Sequence, residues 1–216
     1  MPDARALMYV HMDPQLGKED AFHAWYDDHA AKRFALPGFL SARRYWNVNP
    51  HGPRHMAWYD LEDVSALQSP EYLGLREKEL EYDKAFMGSL TMNDRRVYEA
   101  LDVGEPWTKP WTDHAPFMIT MTMDPRPEMV EDYHQWYLQE HIPMLMETVP
   151  GWRRILRFRQ LDGNGSSYLA IHEIESPDVF QSPEFKAATS TAWRDKVFGY
   201  VTRRERLTFR LLKGFA

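Results

Sequence analysis

The chain repeats itself, and the repeat constrains its fold more than any other feature. Met12-Asp13-Pro14 recurs 111 residues later as Met123-Asp124-Pro125, and Phe22-His23-Ala24-Trp25-Tyr26 recurs at the same offset as Tyr133-His134-Gln135-Trp136-Tyr137. Pro37-Gly38 answers Pro150-Gly151, and Gln68-Ser69-Pro70-Glu71-Tyr72 answers Gln181-Ser182-Pro183-Glu184-Phe185, both at an offset of 113. Two extra residues therefore entered between Tyr137 and Pro150. Four matches in the same order mean a tandem duplication of a unit of about 100 residues, the usual size of a small domain. Between the copies, residues 102–116 carry Gly104, Pro106, Pro110 and Pro116 and break every periodicity. The expected division is a first unit at 1–101, a linker at 102–116 and a second unit at 117–216.

Within a unit the opening segment alternates with period two, the mark of a strand. Met8, Val10 and Met12 share one face, with Leu7, Tyr9 and His11 on the other; Ile119, Met121 and Met123 oppose Met118, Thr120 and Thr122 in the second copy. Asp13-Pro14 and Asp124-Pro125 supply strand-ending turns. Helices are expected from Glu19 to about Leu36 and from Pro127 to about Thr148, each stopping near a Pro-Gly pair. Strands follow at Phe39 to Trp46 and Arg54 to Leu61, and at Trp152 to Gln160 and Ser167 to Ile174. Second helices are expected at Glu71 to Phe86 and Glu184 to Val197, and closing strands at Arg96 to Leu101 and Leu207 to Leu212. The order βαββαβ is that of a ferredoxin-like unit, with both helices on one face of a four-stranded antiparallel sheet. The other face is left bare, and two tandem copies remove that liability by packing sheet to sheet as an α/β barrel, an α+β fold. Met8, Val10, Met12, Ile119, Met121 and Met123 then lie under the helices, while Leu7, Tyr9, His11, Met118, Thr120 and Thr122 face the barrel interior.

Composition narrows the function classes. At 44% hydrophobic and 14% aromatic, the 216 residues can build packed cores, so disorder is not expected. The 26 Lys and Arg against 32 Asp and Glu leave a net charge of −6, which offers no footprint for nucleic acid or anionic membranes. Zero cysteines remove disulfides, thiolate metal sites and cysteine nucleophiles, and suit a reducing cytoplasm. The densest apolar stretch, Ala115 to Met123, is shorter than the roughly 18 residues of a membrane helix. No HExxH, glycine-rich phosphate loop or Gly-x-Ser-x-Gly elbow occurs.

Phe22-His23-Ala24-Trp25-Tyr26-Asp27-Asp28-His29, followed by Leu36-Pro37-Gly38-Phe39-Leu40-Ser41-Ala42-Arg43-Arg44-Tyr45, resembles the EthD-like branch of the dimeric α/β-barrel superfamily. Trp136-Tyr137-Leu138-Gln139-Glu140-His141-Ile142-Pro143 and Pro150-Gly151-Trp152-Arg153-Arg154 resemble it too, so the likeness covers nearly the whole chain. In the EthD pattern Glu-His-Ile-Pro follows the Trp-Tyr pair. The second copy keeps it at Glu140 to Pro143; the first has Asp28-His29-Ala30-Ala31, with one residue fewer. The resemblance implies the barrel fold and a choice of reactions: muconolactone-type isomerases, polyketide cyclases, cofactor-free monooxygenases and haem enzymes of the chlorite dismutase and dye-decolorising peroxidase type.

Histidine, with an ordinary pKa near 6.5, is the candidate acid/base. His141 leads, standing four residues after Tyr137, so that on a continuous helix imidazole and phenol share a face. His29, four after Trp25, pairs with Tyr26 in the first copy. The competing reading is that both histidines merely cap helix C-terminal turns. Trp25 and Trp136 offer flat walls for an aromatic ligand or plain core packing. Tyr9, His11, Thr120 and Thr122 trim the expected barrel interior as ligand contacts or as satisfied polar groups. Arg44 and Arg157 are candidates to meet a substrate carboxylate or phenolate, against the alternative of charged residues protecting a solvated sheet edge. His23 and His134, two residues before each Trp, are expected to be solvated. His172 matches Tyr59 at the repeat offset, and the two are candidates to line one cavity. Gly52 and Pro53 between His51 and His55 spoil helical ligand spacing, and no metal site is expected.

The leading expectation is a cofactor-independent lyase, isomerase or cyclase that moves protons on a small aromatic, lactone or polyketide-like substrate between sheet and helices. His141 and His29 would be acid/bases, with Tyr137 and Tyr26 as their oxyanion partners. The alternatives are a monooxygenase of the same superfamily, cofactor-free or haem-bearing, and a non-catalytic binding protein for an apolar small molecule. No cofactor is required by the sequence, which leaves haem open. Neither nucleic acid nor membrane is expected as a partner, and both monomer and homodimer remain open.

Overall fold

The computed structural model describes residues 4–82, 84–108 and 115–215; residues 109–114 of the expected linker lie outside it. The first half runs β1 (Ala6–Pro14), α1 (Glu19–Phe34), β2 (Phe39–Asn47), β3 (His55–Leu61), α2 (Pro70–Tyr82), α3 (Lys84–Met87) and β4 (Leu90–Ala100). The second half runs β5 (Phe117–Pro125), α4 (Val130–Trp136), a π turn (Tyr137–His141), α5 (Ile142–Thr148), β6 (Trp152–Asp162), β7 (Tyr168–Ile174), α6 (Pro183–Ala188), α7 (Ala192–Tyr200) and β8 (Val201–Phe215).

All eight strands form one closed antiparallel barrel in the order β1-β3-β2-β8-β5-β7-β6-β4. Each half contributes the same four-strand order, β4-β1-β3-β2 and β8-β5-β7-β6. The halves join edge to edge, β2 to β8 and β4 to β6, so that no sheet edge is left unpaired. The strand alternation decides what goes where. Leu7, Tyr9, Trp58, Met118, Ile171 and Phe209 fill the barrel interior. Met8, Val10 and Met12 lie beneath the helices of the first half, and Ile119, Met121 and Met123 beneath those of the second.

The repeated motifs have repeated structural jobs. The hydroxyls of Ser69 and Ser182 accept the backbone N–H of Tyr72 and Phe185, capping α2 and α6, each of which has Pro at its first position. The Asp13 carboxylate accepts the N–H groups of Arg54 and His55 at 2.9 Å, and Asp124 accepts that of Ser167 at 2.6 Å; each thereby ties the first strand of its half to the start of the third. Gly38 holds φ at +79°, and a Cβ there would stand 2.8 Å from that of Ala66, so the turn after α1 admits no side chain.

Three departures from the sequence expectation bear on the sites. β4 and β8 start well before Arg96 and Leu207, because Leu90 to Arg95 and Val201 to Arg206 pair with β1 and β5 although their polar side chains show no alternation. The expected helix at Glu184 to Val197 is broken: Thr191 caps a fresh start at α7 by accepting the Arg194 N–H at 3.1 Å. Third, the Ile142 N–H reaches back five residues to the Tyr137 carbonyl, which makes 137–141 a π turn.

Candidate functional site

Two cavities open between helices and the outer face of the barrel, one per half. The first, of about 290 Å³, lies between α1, α2 and the strands β1, β3 and β4; Trp25, Tyr26, His29, Tyr59, Glu79 and Arg95 are among its lining residues. His29 leans on the Trp25 indole, with ring centroids 4.4 Å apart, and sits 5.3 Å from the Tyr26 ring. Its Nδ1 lies 3.0 Å from Glu79 Oε1. Arg33, one turn further along α1, donates to both Glu79 oxygens at 2.8 and 2.6 Å. Burial alone would raise the Glu79 pKa, but the bonds from His29 and Arg33 outweigh it and hold the carboxyl down at about 2. An anionic Glu79 accepts from Nδ1–H and keeps that proton on the ring, which leaves Nε2 as the basic nitrogen, the usual orientation of a histidine base by a carboxylate. The Tyr26 and Tyr59 phenols are buried beside each other and stay protonated, Tyr59 pushed up to about 12 by burial. Arg95 Nε is buried and without a hydrogen-bond partner among the described residues.

The second cavity, of about 170 Å³, is lined by Trp136, Tyr137, His141, Trp152, His172 and Arg194 among others. His141 stacks on Trp136 at 4.4 Å and lies 5.3 Å from Tyr137, the same two distances as in the first half. One of the two residues added in the second copy is thus absorbed by the π turn, and His141 keeps the place of His29 at five residues from its Trp instead of four. No glutamate follows it there. At the repeat offset of 113 the position matching Glu79 is Ala192, the first residue of α7, and the nearby Glu140 is taken by Trp136 Nε1 at 3.2 Å and Thr191 Oγ1 at 2.5 Å. His141 Nδ1 is buried without a partner among the described residues, and burial, with the Arg194 charge, pushes its pKa down to about 3.

The remaining candidates lie elsewhere. Tyr9, His11, Thr120 and Thr122 are buried inside the barrel, outside both cavities, and the His11 ring nitrogen Nε2 is 2.7 Å from the Tyr9 hydroxyl. Arg44 and Arg157 are buried, each stacked on the tyrosine of its half, 4.7 Å from the Tyr26 ring and 5.2 Å from that of Tyr137. Neither is a solvated edge residue: Arg44 pairs with Asp27, and Arg157 grips Asp102 at 2.6 and 2.7 Å. His23 and His134, expected in solvent, are half-buried against these arginines, at 2.9 and 3.4 Å. Tyr59 and His172 line different cavities at matching places rather than one shared cavity. Sequence reasoning missed Glu79 and Arg33. The signal was present: Arg33 stands four residues after His29 on one helix face, but nothing local marks Glu79 as the residue opposite.

Inside the barrel Arg43 links the halves. It pairs with Asp60 of its own half and donates to Glu173 of the other at 3.0 Å, while Arg154 approaches Glu173 at 3.6 Å. Ser41 Oγ and Trp58 Nε1 each donate to Asp60 at 2.6 Å.

Ordinary ligand sites span roughly 300–1,000 Å³. The first cavity stands at the lower edge of that range and the second below it.

No family model matches the chain, and no curated protein matches it. Solved structures do. An anthrone oxidase-like protein aligns with a TM-score of 0.65 over 100% of this chain and 93% of its own, at 13% identity. A chlorite dismutase variant of Candidatus Nitrospira defluvii aligns at 0.65 over 99% and 93%, at 11% identity. A candidate monooxygenase of Fusobacterium nucleatum aligns at 0.64 over 99% and 95%, at 11% identity. At these identities the likeness is one of fold alone, an α+β barrel of the dimeric α/β-barrel kind.

Proposed function

We propose that this chain is a tandemly duplicated enzyme of the EthD-like branch, with units at 1–101 and 117–216 joined by 102–116, acting in the cytoplasm by cofactor-independent acid–base chemistry. The site is the first cavity. The observation that carries this reading is the His29–Glu79 contact at 3.0 Å on the face of Trp25. A carboxylate that fixes the imidazole tautomer, an indole that holds a flat ring, and protonated phenols able to donate to a developing oxyanion together suit removal of a proton from a resonance-stabilised carbon acid. His29 is the base and Tyr26 the oxyanion partner, with Arg95 Nε as a second donor. The sequence ranks His141 first; the missing carboxylate in the second half shifts the assignment to His29.

The same proton removal opens two outcomes, rearrangement or elimination within a lyase, isomerase or cyclase, and attack of the carbanion on oxygen in a cofactor-free monooxygenase. The likeness to an anthrone oxidase-like protein makes anthrones the first substrates to screen. Turnover is to be followed with and without oxygen. His29→Gln is expected to lower kcat by about 100-fold or more while the protein melts as before. His141→Gln should leave turnover nearly intact. Equal activity in wild type and His29→Gln would sink the assignment.

A further inference from the structure

The second cavity differs from the first in having cations but no carboxylate in its lining, among the described residues. Arg206 rises from the outer face of β8 opposite Met121, and its guanidinium lies 4.1 Å over the Phe180 ring. Arg194 of α7 lies 4.1 Å over Phe198, and Arg204 lies 4.5 Å over the same ring. Three guanidinium groups thus gather on two phenyl rings. The carboxylate paired with them is that of Asp195, 3.6 Å from Arg194, and no acidic residue lines the cavity among the described residues. In the first cavity Glu79 grips Arg33 at 2.6 and 2.8 Å; among the described residues no lining carboxylate does the same for Arg194 or Arg206. Arg194 is half-buried and Arg206 exposed at the cavity rim, and partial desolvation pulls the pKa of each down.

The space those cations face is flat and aromatic. His141 lies parallel to Trp136, and Trp152 is stacked on Phe185 with ring centroids 5.6 Å apart. The buried, unpartnered His141 Nδ1 supplies a polar contact at the wall. We propose that the second cavity binds a planar aromatic carboxylate, its ring among Trp136, Trp152 and Phe198 and its carboxylate on Arg194 and Arg206. The proposal does not depend on the reaction assigned to the first cavity. It makes the two halves a reaction site and a separate anion-binding site rather than two copies of one centre.

Benzoate and its neutral analogue benzamide are the probes, titrated into the intact protein and followed by tryptophan fluorescence and by NMR. Benzoate is expected to bind at least about tenfold more tightly than benzamide, as a charge-assisted contact requires. Arg194→Gln and Arg206→Gln should each erode that preference, and the double variant should abolish it, whereas His29→Gln should leave it unchanged. Nuclear Overhauser contacts from the benzoate ring to Trp152 and Phe198 locate the ligand in wild type, whether or not a variant folds. Equal binding of the two probes, a preference that survives in the double variant, or contacts to Trp25 in place of Trp152 would each overturn the proposal.

Discussion

Glu79 makes the two histidine centres unlike. With it, His29 has a fixed tautomer; among the described residues no carboxylate does the same for His141. Glu79→Gln is therefore expected to keep the Trp25–His29 stack but to lower kcat and displace the acid limb of its pH profile, whereas a purely structural role would move only the melting temperature. The acid limb of stability should change as well. The Glu79 carboxyl titrates near 2 in the folded protein and near 4.5 when released, so its contribution is present above pH 4.5 and drains away as pH falls toward 2. Glu79→Gln should flatten that part of the curve in acid unfolding. Arg43 is the other decisive residue. Replacing it with Met would strand Asp60 without its ion partner in a dry interior and leave Glu173 with the more distant Arg154, and a loss of about 3–5 kcal/mol in denaturant unfolding is expected. A loss under about 1 kcal/mol would mean that the barrel interior is wetter than its packing suggests.

At the scale of elements, the π turn is an insertion that the helix stored without moving its functional side chains. Deleting exposed Gln139 should return 137–141 to α geometry, with His141 still against Trp136 at the four-residue spacing that the first half uses. The expected result is a cooperatively folded protein with near-UV circular dichroism close to wild type; collapse of the tertiary signal would show that the π geometry is required. Much of this level was legible in the residues. Alternation at Leu7 to Met12 and Met118 to Met123 told inside from outside, and Pro-Gly pairs marked helix ends, because these signals act within a few residues. Less was legible where the determinant is distant. The extended starts of β4 and β8 carry polar side chains and owe their strand form to pairing with β1 and β5. Arg44 and Arg157 read as substrate contacts or charged edge residues, since nothing near them in sequence reveals Asp27 and Asp102 as buried partners. Ala192 stands at the repeat match of Glu79, but that difference between the halves has no meaning until Glu79 is seen against His29.

For the molecule as a whole, buried histidines set the response to pH. Burial, aided by neighbouring positive charge, pushes His11, His55 and His141 down to about 3. Their unfolded forms take up protons near pH 6.5, so stability is full above that value and falls steadily as pH drops from 6.5 toward 3. Thermal melts between pH 8 and 5 should show this fall before the carboxylates begin to titrate, and a flat profile would contradict it. The barrel itself is shared: each half alone would expose Leu7, Tyr9 and Trp58, or Met118, Ile171 and Phe209. Expressed as separate polypeptides, the halves are expected to aggregate singly and to reassemble when mixed, as read by size-exclusion chromatography. Closure also has an order in time. Of the eight strands β8 leaves the ribosome last, yet it pairs with β2, one of the first. The edge of β2 must therefore wait, unpaired, while everything between is synthesised, and a nascent chain in that state presents a sticky strand to its neighbours on the polysome. Slow translation ahead of β8 would lengthen that exposure, and the yield of folded protein would come to depend on how fast its final strand arrives.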